Sequence, residues 1–182
     1  MSLDVSTDSI DVVVIGAGQA GVSLSYFLQK RGVRHIVLEK ATAFSAWERR
    51  WDSFKMNTPN WMNELPGAPQ NFARDSSRSE IGSRADALEY FGAYLKSVSP
   101  PLQEHTEVTK VRQLEDGLWS VDTPGKTYRC RSVAVCTSPY PAPKVPDLAR
   151  NLSPDVAQMH SVQFRNSQQI PPGAVLVVGR GS

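Results

Sequence analysis

The sequence predicts an α/β fold built on a parallel sheet, and three observations carry that prediction. The apolar, β-branched run at 11–15 has no polar alternation, as expected of a strand covered on both faces. It leads straight into Gly16-Ala17-Gly18-Gln19-Ala20-Gly21 and then into apolar residues at helical spacing. Much later, the apolar run at 174–178 is followed by Gly179-Arg180-Gly181, the opening of a second turn of the same kind.

Each element can be justified in order. Ala20, Leu24, Phe27 and Leu28 share one helical face, Lys30 and Arg31 favour the negative helix end, and Gly32 is placed to terminate it. A second strand at 35–39 completes a βαβ unit. Ser83 and Asp86 form a capping box before a helix whose apolar face is Leu88, Phe91, Leu95 and Val98, and Pro100-Pro101 ends it. Short strands follow over 106–130, with turns at Asp116-Gly117 and Pro124-Gly125. This β-meander is expected to cover one face of the parallel sheet. The run at 133–137 is expected to return as a further parallel strand, and the proline-rich stretch 139–146 reads as a linker. The chain thus divides into residues 1–146 and a second portion, 147–182, in which 174–178 is the first strand of another domain that stops at the start of its glycine turn.

Bulk properties exclude several classes of partner. The 182 residues are 40% hydrophobic and 21% charged, ordinary values for a globular chain. Twenty Lys and Arg against eighteen Asp and Glu leave a net charge of +2, without the clustered basic excess that draws nucleic acid or an anionic membrane. No apolar run reaches membrane-spanning length, and the opening MSLDVSTDSI resembles neither a secretory nor a transit peptide, so the cytoplasm is the expected location. Cys130 and Cys136 have neither redox C-x-x-C nor zinc spacing and are expected to be reduced strand residues; no metal site is expected.

The first glycine motif has a specific physical reading. Gly16 permits a tight turn out of the strand, Gly18 lets a pyrophosphate approach the backbone, and Gly21 lets helix and strand pack closely. The phosphates would lie on the positive helix end. Glu39 follows Gly16 by 23 positions and can accept hydrogen bonds from both hydroxyls of an adenosine ribose, which favours FAD or NAD over NADP at this site. The plainer alternative is an ordinary strand-to-helix turn with an exposed glutamate.

Three further stretches carry a family resemblance. Trp47-Glu48-Arg49-Arg50-Trp51-Asp52-Ser53-Phe54-Lys55-Met56-Asn57-Thr58-Pro59 resembles the W-x-x-R-W-D-S-x-x-x-N-T-P segment of bacterial flavoproteins related to the flavin-containing monooxygenases. Residues 133–140 resemble their V-V-V-A-T-G-x-[YF] segment, and residues 160–166 their H-S-x-x-[YF] segment. The resemblance implies a Rossmann-like, three-layer FAD-binding fold with a β-meander, running into the start of an NADPH-binding Rossmann domain. It implies that Gly16, Gly18 and Gly21 hold the FAD pyrophosphate and Glu39 its ribose, while Trp47 and Arg50 flank the nucleotide and phosphates. Val108 would meet the adenine, Thr137 would join the cofactor contacts, and Asn57 would sit near the reactive edge of the isoalloxazine. Gly179 and Gly181 would begin the NADPH turn. The chain departs from the pattern at Phe44-Ser45-Ala46, where a glycine pair is common before the tryptophan, and at Ser138, where glycine is usual. Pro154 and Val156 stand where the monooxygenase fingerprint has Phe and Gly.

The implied activity is an FAD-dependent, NADPH-using monooxygenase that oxidises a small substrate through a peroxyflavin. Two alternatives stay open: a noncatalytic remnant or subunit completed by another chain, and a flavin reductase of the disulfide type, although C-x-x-C is absent. A second chain or an oligomer contact is the expected cover for the uncovered edge. The individual residues also have plainer readings: the tryptophans as a packed aromatic cluster, His160 as a structural histidine, and Asn57 as the start of an Asn-Thr-Pro turn.

Overall fold

The computed structural model describes residues 10–69, 80–138 and 143–179. Strand β1 (Ile10–Ile15) enters the glycine turn, helix α1 (Gln19–Lys30) leaves it, and β2 (His35–Leu38) lies parallel to β1. A single turn of helix, α2 (Ser45–Glu48), and the longer α3 (Arg84–Val98) come next. Then follow β3 (Leu102–Gln103), β4 (Lys110–Gln113), β5 (Trp119–Asp122) and β6 (Thr127–Val135). The strand order is β3-β2-β1-β6-β5-β4, with β3, β2, β1 and β6 parallel and β4, β5 and β6 antiparallel.

The sheet has two apolar faces because β1 and β2 present Val, Ile and Leu side chains to both. On one face Val14, Val22 and Val37 pack with Ala87, Phe91, Tyr94 and Val98 of α3. On the other, Val13 and Leu38 share a cluster with Val121 and Tyr128 of the meander. The Tyr128 hydroxyl reaches the Gln103 amide oxygen, across to the β3 side of the sheet. The meander therefore covers one face, as its sequence pattern suggests.

Three expectations need correction. The break between a last meander strand and a returning parallel strand does not exist, because β6 is one strand of nine residues. Its first part pairs with β5 through Cys130, and from Cys130 onward it pairs with β1. The buried face of α3 is Ala87, Tyr90, Phe91, Tyr94 and Val98, whereas Leu88 and Leu95 are only half-buried. The two tyrosines can go inside because their hydroxyls are matched: Tyr90 accepts from the Leu65 N–H at 2.6 Å and Tyr94 donates to the Pro66 carbonyl at 2.9 Å.

The strand expected at 174–178 is not formed. Val175, Leu176, Val177 and Val178 are 60 to 87% exposed, and no strand pairs with them among the described residues. An isolated extended segment has no ladder to satisfy its backbone, so apolar sequence alone does not make it a strand.

Candidate functional site

The site begins where β1 ends. Gly16 adopts φ +103°, its N–H donates to the Leu38 carbonyl at 2.8 Å, and a Cβ there would lie 2.9 Å from the Cys136 carbonyl oxygen. Gly21 is excluded from bearing a side chain more severely, since its Cβ would fall 1.9 Å from the Gly16 oxygen. Gly18 differs from both: a Cβ there would meet nothing within 4 Å. Two glycines close the strand–helix corner and the third leaves space outside it. Gly18 is the N-cap of α1, no side chain caps that end, and no acidic residue occupies the first turn. The first amides of α1 therefore keep their affinity for an anion.

Glu39 sits just past β2 and faces this turn. Its Oε2 accepts from the Ala17 N–H at 2.9 Å and its Oε1 from the Ala41 N–H at 3.0 Å. The strand–turn segment alongside is held in place by the Thr106 N–H on the Glu39 carbonyl (2.8 Å) and the His105 N–H on the Ala41 carbonyl (3.0 Å). Glu104 adds a bond to the Ala43 N–H at 2.7 Å. Val108, two residues beyond Thr106, packs into the cluster of Val13 and Leu38.

Phe44 joins the turn to the aromatic cluster. Its N–H donates to the Ala17 carbonyl at 3.0 Å, and its ring stacks on Phe91 with centroids 4.7 Å apart and planes 5° from parallel. Its φ of +59° lies in the left-handed region that disfavours bulky residues, at the place where the resemblance would put glycine. Burial of the ring to 5% exposure offsets that backbone strain. Trp47 packs on Phe91 and Phe54, and Trp51 on Phe54. The Arg50 guanidinium lies 5.5 Å from the centroids of both Trp47 and Phe54. Trp61 stands apart, 47% exposed.

The expected residues thus fall into two groups. Gly16, Gly18, Gly21 and Glu39 meet at one turn, whereas Trp47, with Arg50 over its ring, packs on the α3 face of the sheet and Val108 on the meander face. Thr137 belongs with the turn by position, following Cys136, whose N–H donates to the Ile15 carbonyl at 2.8 Å. Asn57 is exposed and lies just after Met56, whose N–H donates to the Gly82 carbonyl. The buried asparagine of that turn is Asn60, which accepts from the Gly82 N–H at 3.0 Å, and Asn63 braces Thr58. Gly179 is exposed, with nothing within 4 Å of a Cβ placed on it, and Gly181 lies outside the described residues. His160 accepts from the Val162 N–H through Nδ1, a local structural bond.

Sequence reading missed Glu104, Asn60 and the pair Arg84 and Arg165. Both arginines donate to the carbonyls of Glu48 and Arg50. Their signal was weak: a polar residue beside a motif says nothing of a partner far along the chain.

Cys130 and Cys136 are both free, and burial pushes both thiols up from their ordinary value. They pack into different apolar clusters, so they do not form a redox pair. Among the described residues no group of three or more His, Cys, Asp or Glu could hold a metal, and no helix is long and apolar enough to cross a membrane.

Known proteins resemble this chain in sequence and in fold. The uncharacterized oxidoreductase CzcO of Bacillus subtilis (strain 168) is 32% identical over 173 residues, covering 94% of this chain and 49% of its own length. The probable indole-3-pyruvate monooxygenase YUCCA8 of Arabidopsis thaliana is 25% identical, over 93% of this chain and 42% of its own. Among solved structures, the flavin-containing monooxygenase from Stenotrophomonas maltophilia superposes with a TM-score of 0.68 at 27% identity, over 78% of this chain and 42% of that one. The chain spans about half the length of the curated relatives it matches first. The profile of one oxidoreductase family matches residues 13–182, from within β1 onward, and by that match the chain belongs to the pyridine nucleotide-disulphide oxidoreductase family.

Proposed function

We propose that this chain is the FAD-holding part of an FAD-dependent monooxygenase that takes reducing equivalents from NADPH and oxidises a small molecule. One observation carries the reading: the glycine turn is closed at Gly16 and Gly21 and open at Gly18, with a carboxylate at Glu39 beside it. An adenine dinucleotide suits this arrangement, because the open side offers room and unpaired amides to a pyrophosphate while the acid can accept from ribose hydroxyls. Similarity to a flavin-containing monooxygenase and to a probable indole-3-pyruvate monooxygenase favours FAD and oxygen chemistry over a plain NAD dehydrogenase.

In this reading Gly16, Gly18 and Gly21 present the backbone to the pyrophosphate, and Glu39 binds the adenosine ribose. Trp47 and Arg50 flank the phosphates, Val108 borders the adenine, Thr137 adds a contact near the glycine turn, and Asn57 lies towards the reactive ring. Gly179 and Gly181 open the NADPH turn, and the division falls between residues 146 and 147. Bound flavin supplies the redox chemistry by accepting hydride and passing electrons to oxygen; the chain's residues bind it, orient it and keep water from it. A disulfide-reductase reading is the weaker one, since Cys130 and Cys136 pack apart.

A paired substitution tests the proposal. Gly18→Ala should leave the thermal midpoint within about 2 °C of the parent, because its new methyl meets nothing in the protein, while FAD affinity in a fluorescence titration falls at least about tenfold. Gly21→Ala should lower stability by roughly 3 kcal/mol because of the clash with Gly16. Unchanged FAD binding in a folded Gly18→Ala protein, or no FAD binding by the parent, would sink the reading.

A further inference from the structure

The segment after residue 147 contains a second structural input to the candidate site. Glu48 ends the four-residue helix α2 and Arg50 lies just past its C-cap, Arg49; a helix this short is not stable alone, and the carbonyls at its end need donor partners from elsewhere. Two cations supply them. Arg84 Nη1 donates to the carbonyls of Glu48 (3.2 Å) and Arg50 (3.0 Å), and Arg165 Nη1 donates to the same two at 3.5 and 3.1 Å. Arg84 is the first residue of α3, the helix end where a positive charge is least favoured, so helix formation does not explain it. Asp52 supplies the counter-charge: it pairs with Arg84 at 3.3 Å and accepts from Asn166 Nδ2 at 2.7 Å, while its N–H donates to the Arg165 carbonyl at 2.8 Å.

This clasp grips one end of the stretch that carries Trp47 and Arg50. The other end is fixed where the Phe44 N–H meets the Ala17 carbonyl in the glycine turn. Trp47 lies between two anchors, Arg50 forms part of the second, and the Arg165 share of that second anchor comes from more than a hundred residues away, with separations of 117 and 115.

We infer that Arg165 is a positioning residue for the nucleotide site: by holding the carbonyls of Glu48 and Arg50 it sets the Trp47–Arg50 stretch against the glycine turn. The inference rests on the cofactor reading given above. Residues 165 and 166 then serve the cofactor site through their bonds to Glu48, Arg50 and Asp52.

The test compares the full chain carrying Arg165→Met, Arg165→Lys and, as a control in the same portion, Arg150→Met, whose Asp147 partner is exposed. Two readouts are taken: FAD affinity by fluorescence titration, and hydrogen exchange of a peptide spanning residues 45–54 in the cofactor-free protein. Losing charge-assisted bonds at a half-buried site should weaken FAD binding about fivefold in Arg165→Met and speed exchange of that peptide by a similar factor. Arg165→Lys, which can still donate to one carbonyl, should recover affinity to within about twofold of the parent, and Arg150→Met should match the parent. Should Arg165→Met fail to fold by circular dichroism, Arg165→Gln takes its place with the same expected direction. A parent that binds no FAD overturns the cofactor reading. A parent that binds FAD, with Arg165→Met equal to it in affinity and in exchange, overturns this inference alone.

Discussion

Glu39 has two demands on the same atoms. Each carboxylate oxygen accepts one backbone N–H, from Ala17 and Ala41, and each has lone-pair capacity left for a ribose hydroxyl. An amide cannot do both jobs. Glu39→Gln puts an NH2 group against one of those N–H donors, and should cost about 1–2 kcal/mol of stability, read as a lower urea midpoint, while also weakening nucleotide binding. Equal midpoints for the two proteins would show that the carboxylate does not brace the turn. The position of Glu39 was legible in the sequence because its distance from Gly16 follows from βαβ geometry. Its bond to Ala17 was not legible, nor was that of Glu104 to Ala43, because each depends on how separate loops approach in space. Phe44 is the residue at which local preference and tertiary packing disagree, and packing on Phe91 wins.

At the level of elements, helix starts were easier to read than helix faces. The box predicted at Ser83 is formed: the Ser83 N–H donates to Asp86 Oδ2 at 2.8 Å and the Asp86 N–H returns to Ser83 Oγ at 3.3 Å. Such a cap needs only residues three apart, so the sequence contains all of it. The buried face of α3 needed tyrosines to count as core, which depends on acceptors and donors in the loop at 65–66. Hydrogen bonds from Ser83 hold the Asp86 carboxyl below its ordinary range. A lowered folded value means that the stabilisation is fully present above the unfolded carboxylate value, about pH 4, and is lost as pH falls through the lower folded value. Ser83→Ala should therefore destabilise the protein by about 1 kcal/mol at neutral pH, and the gap to the parent should narrow below about pH 4. Thermal melts at neutral and acidic pH would read this, and a gap that widens in acid would contradict it.

Across the whole molecule, the parallel sheet, its helices and the meander agree with the order read from the sequence. Besides the fusion of two expected strands into β6, residues 174–178 depart from it: their apolar pattern is that of a strand, but no strand pairs with them among the described residues. A row of exposed Val and Leu side chains with open backbone groups favours association between chains. The 182-residue chain should elute as a concentration-dependent mixture of sizes, and Leu176→Lys with Val178→Lys should shift it towards the monomer in light scattering. A monomer at all concentrations before substitution would contradict this.

Because β6 serves the parallel sheet with its second part and the meander with its first, the two layers share one uninterrupted backbone. Loosening the covering ribbon would tug directly on the neighbour of β1, and through it on the bend at Gly16 that Cys136 lies against. Damage at the periphery, near Asp122 or Thr127, would then be transmitted to the centre, and the two layers should melt as one cooperative unit.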